Sequence, residues 1–175
     1  VENLSAKLAG CFGRRPRGAW LTERVWQSSV VPALVAGGIG YVTVDDYHFF
    51  CAGRRPEELG GYFTTEEGGQ MLDLFPISEA LRYRIPFAVA DETVAYLEGL
   101  AAQGPNRAAI YFDDIEKFGI WPETYEWVYE KGWLRMFIEA ALASAKIEVQ
   151  TYREFHARER TRGVAYLPTT SYIEM

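Results

Sequence analysis

The chain has 175 residues, a one-domain length, with 49% hydrophobic residues for a core and an ordinary 24% charged. A formal net charge of -6 argues against a nucleic-acid binder, which carries a basic patch. No apolar run approaches the roughly 18 residues of a membrane-spanning helix.

Two cysteines, Cys11 and Cys51, lack the spacing of a metal site or disulfide scaffold, so a reduced, cytoplasmic compartment is expected. Arg14, Arg15 and Arg17 cluster in a Pro/Gly turn and read as a solvated turn. The chain is rich in Tyr (11) and Trp (5). Their flat faces and polar tips suit sugars, but they suit ordinary cores equally well.

In chain order, Leu4, Leu8 and Cys11 at helical spacing predict a helix over Glu2–Phe12. Gly13–Gly18 reads as a turn and Ala19–Glu23 as a short buried strand. Ser28–Ala36 reads as a helix with Ser28 or Ser29 as N-cap, Pro32 in its first turn and Gly37-Gly38 as its stop. Ile39–Asp46 is a second strand, and strand, helix, strand over this span is a βα repeat that favours a parallel sheet or barrel. Tyr62–Thr65 and Gln70–Phe75 flank Glu66–Gly69, a hairpin signal with glycines for positive φ, ended by Pro76–Ser78. Ser78–Arg82 predicts one helical turn. Asp91 is the expected N-cap of a helix reaching Gln103. Ala108–Asp113 is the expected third core strand. Pro122 is expected to open a helix through Tyr129, and Gly132 to separate it from another over Trp133–Ala143. Ile147–Gln150 is a fourth expected strand, Tyr152–Arg158 a helix and Gly163–Leu167 a fifth strand. The chain opens at Val1 straight into an amphipathic segment and stops at Tyr172–Met175 without a cap, so a piece of a larger protein is expected.

The richest stretch is Phe112 to Pro122, where a hydrophobic run ends in Asp113, Asp114 and then Glu116. A buried strand delivering acids at its C-terminal end is how parallel α/β folds build active sites. Trp20-Leu21-Thr22-Glu23-Arg24-Val25-Trp26 delivers another acid between tryptophans. Two carboxylates on separate strand ends are what glycoside chemistry requires. Strand alternation puts Ile110, Phe112 and Asp114 on one face, Tyr111 and Asp113 on the other, and Val42, Val44, Asp46 and His48 together. In a barrel, Glu23, Asp46, His48 and Asp114 would converge at one rim; register near strand ends leaves Asp113 or Asp114 open. Structural roles compete throughout. Either aspartate suits a cap, Glu23-Arg24 an ion pair, His48 a core, His156 a surface, and Trp20, Trp26 and Trp121 a core. Two histidines without ligand spacing make neither a zinc site nor the metal triad of a deacetylase.

Trp20–Trp26 and Asp113–Pro122 resemble the third and fourth sequence regions of glycoside hydrolase family 57, in particular its 4-α-glucanotransferases and α-amylases. The likeness continues through Glu123–Leu134, Val44–Phe49 and Leu167-Pro168. The resemblance implies an α/β fold, part of an incomplete (β/α)7 barrel with parallel strands, carrying the hairpin as an insertion. Residues 1–175 would then be one domain, the central portion of the catalytic barrel, with further regions upstream of Val1 and downstream of Met175. It implies a retaining mechanism with Glu23 as nucleophile and Asp114, rather than Asp113, as acid/base. Trp20, Glu116 and Trp121, and with less support from the motifs Asp46 and His48, match positions near the substrate. It implies an α-1,4-glucan or maltooligosaccharide substrate, no cofactor, no metal, and neither nucleic acid nor membrane as partner. A glucan-binding or structural piece without activity is the competing expectation.

Overall fold

The computed structural model describes residues 1–171; the uncapped end at Tyr172–Met175 lies outside them. The chain divides into two compact units, one of residues 1–77 with 151–175, the other of residues 78–150.

The first unit is built on a four-stranded sheet in the order β1-β2-β4-β3. Strands β1 (Gly18–Trp20), β2 (Tyr41–Asp45) and β4 (Gln70–Ile77) run parallel, and β3 (Phe63–Glu67) pairs antiparallel with β4. Helix α1 (Glu2–Phe12) forms as predicted and ends on Gly13 at φ 70, whose N–H reaches Ala9 O at 2.8 Å. Its expected apolar stripe is not buried, since Leu4 is 62% exposed and Ser5 is the buried residue.

Several expectations are corrected here. The first strand stops at Trp20, and Thr22–Arg24 is a 3-10 turn, so Glu23 is not a strand residue. The next helix splits into a 3-10 turn at Ser28–Val30 and α2 (Val31–Ala36), with Gln27 rather than Ser28 or Ser29 at the N-cap. The second strand ends at Asp45, and Asp46 opens helix α3 (Asp46–Cys51). Asp46 and His48 are therefore helical and do not share the strand face of Val42 and Val44. The hairpin turns through Gly68 and Gly69 at φ 59 and 77, the doubly positive pair of a two-residue hairpin turn. Pro76 does not end the hairpin: β4 continues to Ile77, pairing Pro76 with Val44 of β2. The β3 ladder stops at Phe63–Leu74, so one side of β4 needs no donor beyond that point. The Gly163–Leu167 segment makes a single bridge, Thr64–Val164, and not a strand. Helix α7 (Tyr152–Arg158) opens on a capping box between Thr151 and Glu154.

The core of this unit gathers Trp26, Val31, Val42, Val44, Phe49, Phe63, Leu72 and Leu74. Polar groups are buried beside them. The Arg24 guanidinium meets the Asp45 carboxylate at 3.1 Å, with the two side chains 8% and 4% exposed. His48, fully buried, turns Nδ1 to the Asp45 carbonyl at 3.1 Å. A carbonyl only accepts, so Nδ1 carries the proton. Burial pushes the His48 pKa below its ordinary value, against the backbone carbonyls of Asp45, Arg24 and Thr170, which favour the charged ring.

The second unit is helical. Ser78 caps α4 (Glu79–Arg84), its Oγ accepting from Leu81 N at 3.3 Å. Helix α5 (Ala90–Ala101) has Val89 at its N-cap, so Asp91 lies inside the first turn instead, where its charge favours the helix dipole. Pro122 does not open a helix: Glu123 has φ 64, and a π-helical turn spans Glu126–Glu130. Gly132, at φ 76, leads into α6 (Trp133–Ala143). Leu81, Ile85, Ala90 and Trp133 form this core, and Trp133 stacks on Phe137 at 5.1 Å. Neither Ala108–Asp113 nor Ile147–Gln150 forms a ladder. Ile110 is buried and its carbonyl accepts from Ser78 N at 2.9 Å, whereas Val149 is 67% exposed. A hydrophobic run reports burial, and pairing needs a neighbouring strand as well.

Two outcomes are expected from the first unit. Asp45→Ala strands the buried Arg24 cation and should lower unfolding stability by about 3–5 kcal/mol in urea titrations, with Arg24→Met added to it recovering much of the loss. Because the folded His48 pKa is depressed, its contribution is complete above the ordinary value of 6.5 and is lost as pH falls below it. Between pH 7 and 5 the parent should lose stability more steeply than His48→Gln, by at most about 1.4 kcal/mol per pH unit; parallel slopes in thermal melts would contradict this.

Candidate active site

Trp20, half-buried, is the last residue of β1. Three residues on, Glu23 is exposed, with φ 63 and ψ 2, and Arg24 follows at φ 50. Consecutive left-handed residues other than glycine each cost on the order of 1–3 kcal/mol and persist only where their surroundings fix them. Here Arg24 N donates to Leu21 O at 2.7 Å, and Ser171 Oγ donates to Glu23 O at 3.4 Å. Trp26 N donates to Thr170 O at 2.8 Å, and the Trp26 indole to Leu167 O at 3.3 Å. Together with the Arg24–Asp45 pair, these contacts turn the Arg24 side chain inward and leave Glu23 facing solvent. Asp46 is half-buried in the first turn of α3, and His48 is committed to the Asp45 carbonyl.

In the second unit, Asp113 and Asp114 have divided roles. The Asp113 side chain is 2% exposed. Its Oδ2 receives the Lys117 ammonium and lies 3.5 Å from Arg82 Nε, while Oδ1 accepts from Asp114 N at 2.9 Å. Lys117, 3% exposed, also donates to Arg82 O. Burial lowers the Lys117 pKa, opposed by its hydrogen bond and ion pair with Asp113. Burial above all, then the nearby carboxylates of Asp113 and Asp114, raises the pKa of the Tyr111 phenol, which therefore stays protonated as a donor. Asp114 takes no part in the Asp113 ion pairs. It is half-buried and extended at φ -66, ψ 129, immediately before the 3-10 turn Ile115–Phe118.

Glu116 is exposed, and its main chain organises the next turn of the chain: its carbonyl accepts from Ile120 N at 2.9 Å and Trp121 N at 3.1 Å. Gly119, at φ 128, lies close to the Tyr129 ring, where an added Cβ would come within 3.0 Å. Trp121 is 42% exposed and stacks on Phe87 at 6.1 Å and 16°. Trp20, Glu23, Asp46 and His48 thus belong to the first unit, and Asp114, Glu116 and Trp121 to the second. The sequence reading missed Arg82, Lys117 and Phe87. Lys117 carried a signal, a lysine four residues after an aspartate; Arg82 and Phe87 carried none.

The sequence pattern of glycosyl hydrolase family 57 matches residues 1–168. The 4-alpha-glucanotransferase of Thermococcus litoralis is 52% identical over 164 residues, 94% of this chain and 25% of that protein. The alpha-amylase of Pyrococcus furiosus is 49% identical, covering 98% of this chain and 26% of that protein. The crystal structure of the T. litoralis 4-alpha-glucanotransferase superposes with TM-score 0.96 at 49% identity, covering 99% of this chain and 27% of that one. That of an alpha-amylase from Thermotoga maritima shares the fold, with TM-score 0.73 at 16% identity over 95% of this chain and 45% of its own. The chain spans about a quarter of the length of the curated relatives it matches, and its open, mostly parallel α/β sheet is part of an incomplete (β/α)7 barrel. With its family pattern matched from end to near end, this chain belongs to glycosyl hydrolase family 57.

Proposed function

We propose that residues 1–175 are the central portion of the catalytic barrel of a retaining 4-α-glucanotransferase acting on α-1,4-glucans, with Glu23 as nucleophile and Asp114 as acid/base. The observation that carries this is the contrast between neighbouring acids. Asp113 is closed in by two cations and an amide, whereas Asp114 is outside that cage at the mouth of a turn. Glu23 shows the same contrast with the inward-turned Arg24. The family membership and relatives named 4-alpha-glucanotransferase support the reaction class.

In the first displacement a Glu23 carboxylate oxygen bonds to the anomeric carbon. The bond from that carbon to the leaving glucan oxygen breaks, and Asp114 gives that oxygen its proton. In the second, Asp114 takes the proton of an incoming hydroxyl, whose oxygen bonds to the anomeric carbon and frees Glu23. A sugar hydroxyl gives transfer and water gives hydrolysis. Trp20, Trp121, Glu116, Asp46 and His48 are assigned to substrate binding, the last indirectly, since His48 is buried. The free thiols of Cys11 and Cys51 support a reducing, cytoplasmic location. An α-amylase is the second reading, favoured by relatives carrying that name.

Chromatography of products from maltotriose and maltoheptaose tests this, using the chain and a form extended at both ends. Longer maltooligosaccharides that disappear in Glu23→Gln are expected. Shorter sugars alone would select the amylase, and no product from either form with the fold intact would sink both readings. Azide added to Glu23→Ala should yield the β-glycosyl azide, and added to Asp114→Ala the α-anomer; reversed products would exchange the two roles.

The aspartates should separate as well. Asp114→Asn should cut turnover of maltooligosaccharides by about 10²–10⁴-fold with little change in melting temperature. With a fluoride leaving group, which needs no proton, the first displacement should be spared and release a burst of fluoride, while the second stays slow until azide, which needs no base, is added. Asp113→Asn should instead destabilise the fold by roughly 3–5 kcal/mol, since it leaves buried cations without their carboxylate.

A further inference from the structure

We infer that Phe87 is a positioning residue that fixes Trp121 as a sugar platform and ties it to the Asp113 ion cluster; this rests on the reading of Trp121 as a substrate contact. Phe87 is 45% exposed, so burial does not account for it. Its backbone is nonetheless held from both sides. The Trp127 indole donates to Pro86 O at 2.6 Å, and the Trp133 indole donates to Ala88 O at 2.6 Å. Two large rings thus commit their only polar donors to the carbonyls flanking one phenylalanine. Trp133 is fully buried, so this anchoring reaches into the core of the unit.

The Phe87 ring has two partners. The Lys117 ammonium, itself bound to Asp113, lies 5.2 Å from its centroid, and Trp121 stacks on it at 16°. A cation near an aromatic ring and an offset aromatic pair each restrict the ring's orientation. The Trp121 backbone is held as well, its N–H donating to the Glu116 carbonyl at 3.1 Å. With one face on Phe87 and 42% of its surface open, Trp121 offers the remaining face to a pyranose ring. The run Asp113, Lys117, Phe87, Trp121 therefore links the residue beside the proposed acid/base to the proposed platform. Preset orientation of this kind reduces the ordering cost of binding, and its loss falls on KM more than on kcat.

The test is steady-state kinetics on maltotriose with the extended, active form, alongside thermal melts. Phe87→Leu should raise KM about 3- to 10-fold, with kcat held within about twofold. Phe87→Tyr, which keeps the ring, should hold KM within about twofold of the parent. Trp121→Ala should raise KM at least as far as Phe87→Leu, and combining the two should add nothing further, because Phe87 acts through Trp121. Additive KM effects, or a KM untouched by Phe87→Leu while Trp121→Ala raises it, would overturn the inference and leave the proposed function standing. A KM insensitive to Trp121→Ala would overturn the inference together with the assignment of Trp121 to the substrate.

Discussion

A carboxylate removed from water is tolerated only with a cation and hydrogen-bond donors around it. In each unit, the proposed catalytic acid lies beside a cluster built on that constraint. Asp45, at the end of β2, is buried against Arg24, and Asp113 is buried against Lys117 and Arg82. In each case the buried partner is the chain neighbour of an acid left outside the cluster: Arg24 comes directly after Glu23, and Asp113 directly before Asp114. The backbone cannot move one without the other. Breaking either cluster would strand charge in the interior, so the clusters fix the chain where the two proposed catalytic acids leave it.

Backbone conformation completes what the ion pairs begin. Glu23 and Arg24 hold positive φ although neither is glycine, and the strain is offset by hydrogen bonds from Arg24 N to Leu21 O and from Ser171 Oγ to Glu23 O, with Trp26 N bonded to Thr170 O just beyond. The segment Leu167–Ser171 is thus a second support for the turn, remote in sequence and close in space. In the other unit a glycine does the equivalent work. Gly119 adopts φ 128 against the Tyr129 ring, allowing the chain to fold back so that Trp121 N–H reaches the Glu116 carbonyl.

The elements legible in the sequence are those that local chemistry specifies. Helical spacing over Glu2–Phe12 and the Gly68-Gly69 turn are short-range signals, and the corresponding elements formed; the Thr151–Glu154 capping box is another local signal, which the sequence reading passed over. Pairing is not local. Ala108–Asp113 and Ile147–Gln150 read as strands from their hydrophobic patterns, yet they form no ladder, because pairing depends on what lies alongside. Strand ends were misjudged for a related reason. Trp20 and Asp45 stop their strands where Arg24 turns inward to reach Asp45, an event set by residues 21 positions apart. The acids of the candidate site were visible as residue types, and the resemblance chose between Asp113 and Asp114. The physical difference between them, two cations drawn from different elements, lay in tertiary structure. Phe87 was silent because an exposed phenylalanine in a Pro-containing turn carries no pattern.

The proposed chemistry turns on which hydroxyl reaches the glycosyl-enzyme first. Water needs no holding, whereas a sugar acceptor must be bound in one orientation, so transfer is favoured where rigid aromatic faces line the approach to the acid/base. Trp121 backed by Phe87 is the face proposed for that role, and the exposed, tilted Tyr125–Tyr129 pair beyond Gly119 belongs to the same unit. A glucan stacked there would exclude water while presenting its own hydroxyl. The balance between transfer and hydrolysis then belongs to the stiffness of the aromatic wall rather than to the identity of the two acids. Softening that wall would shift products toward hydrolysis without altering the stereochemistry of either step.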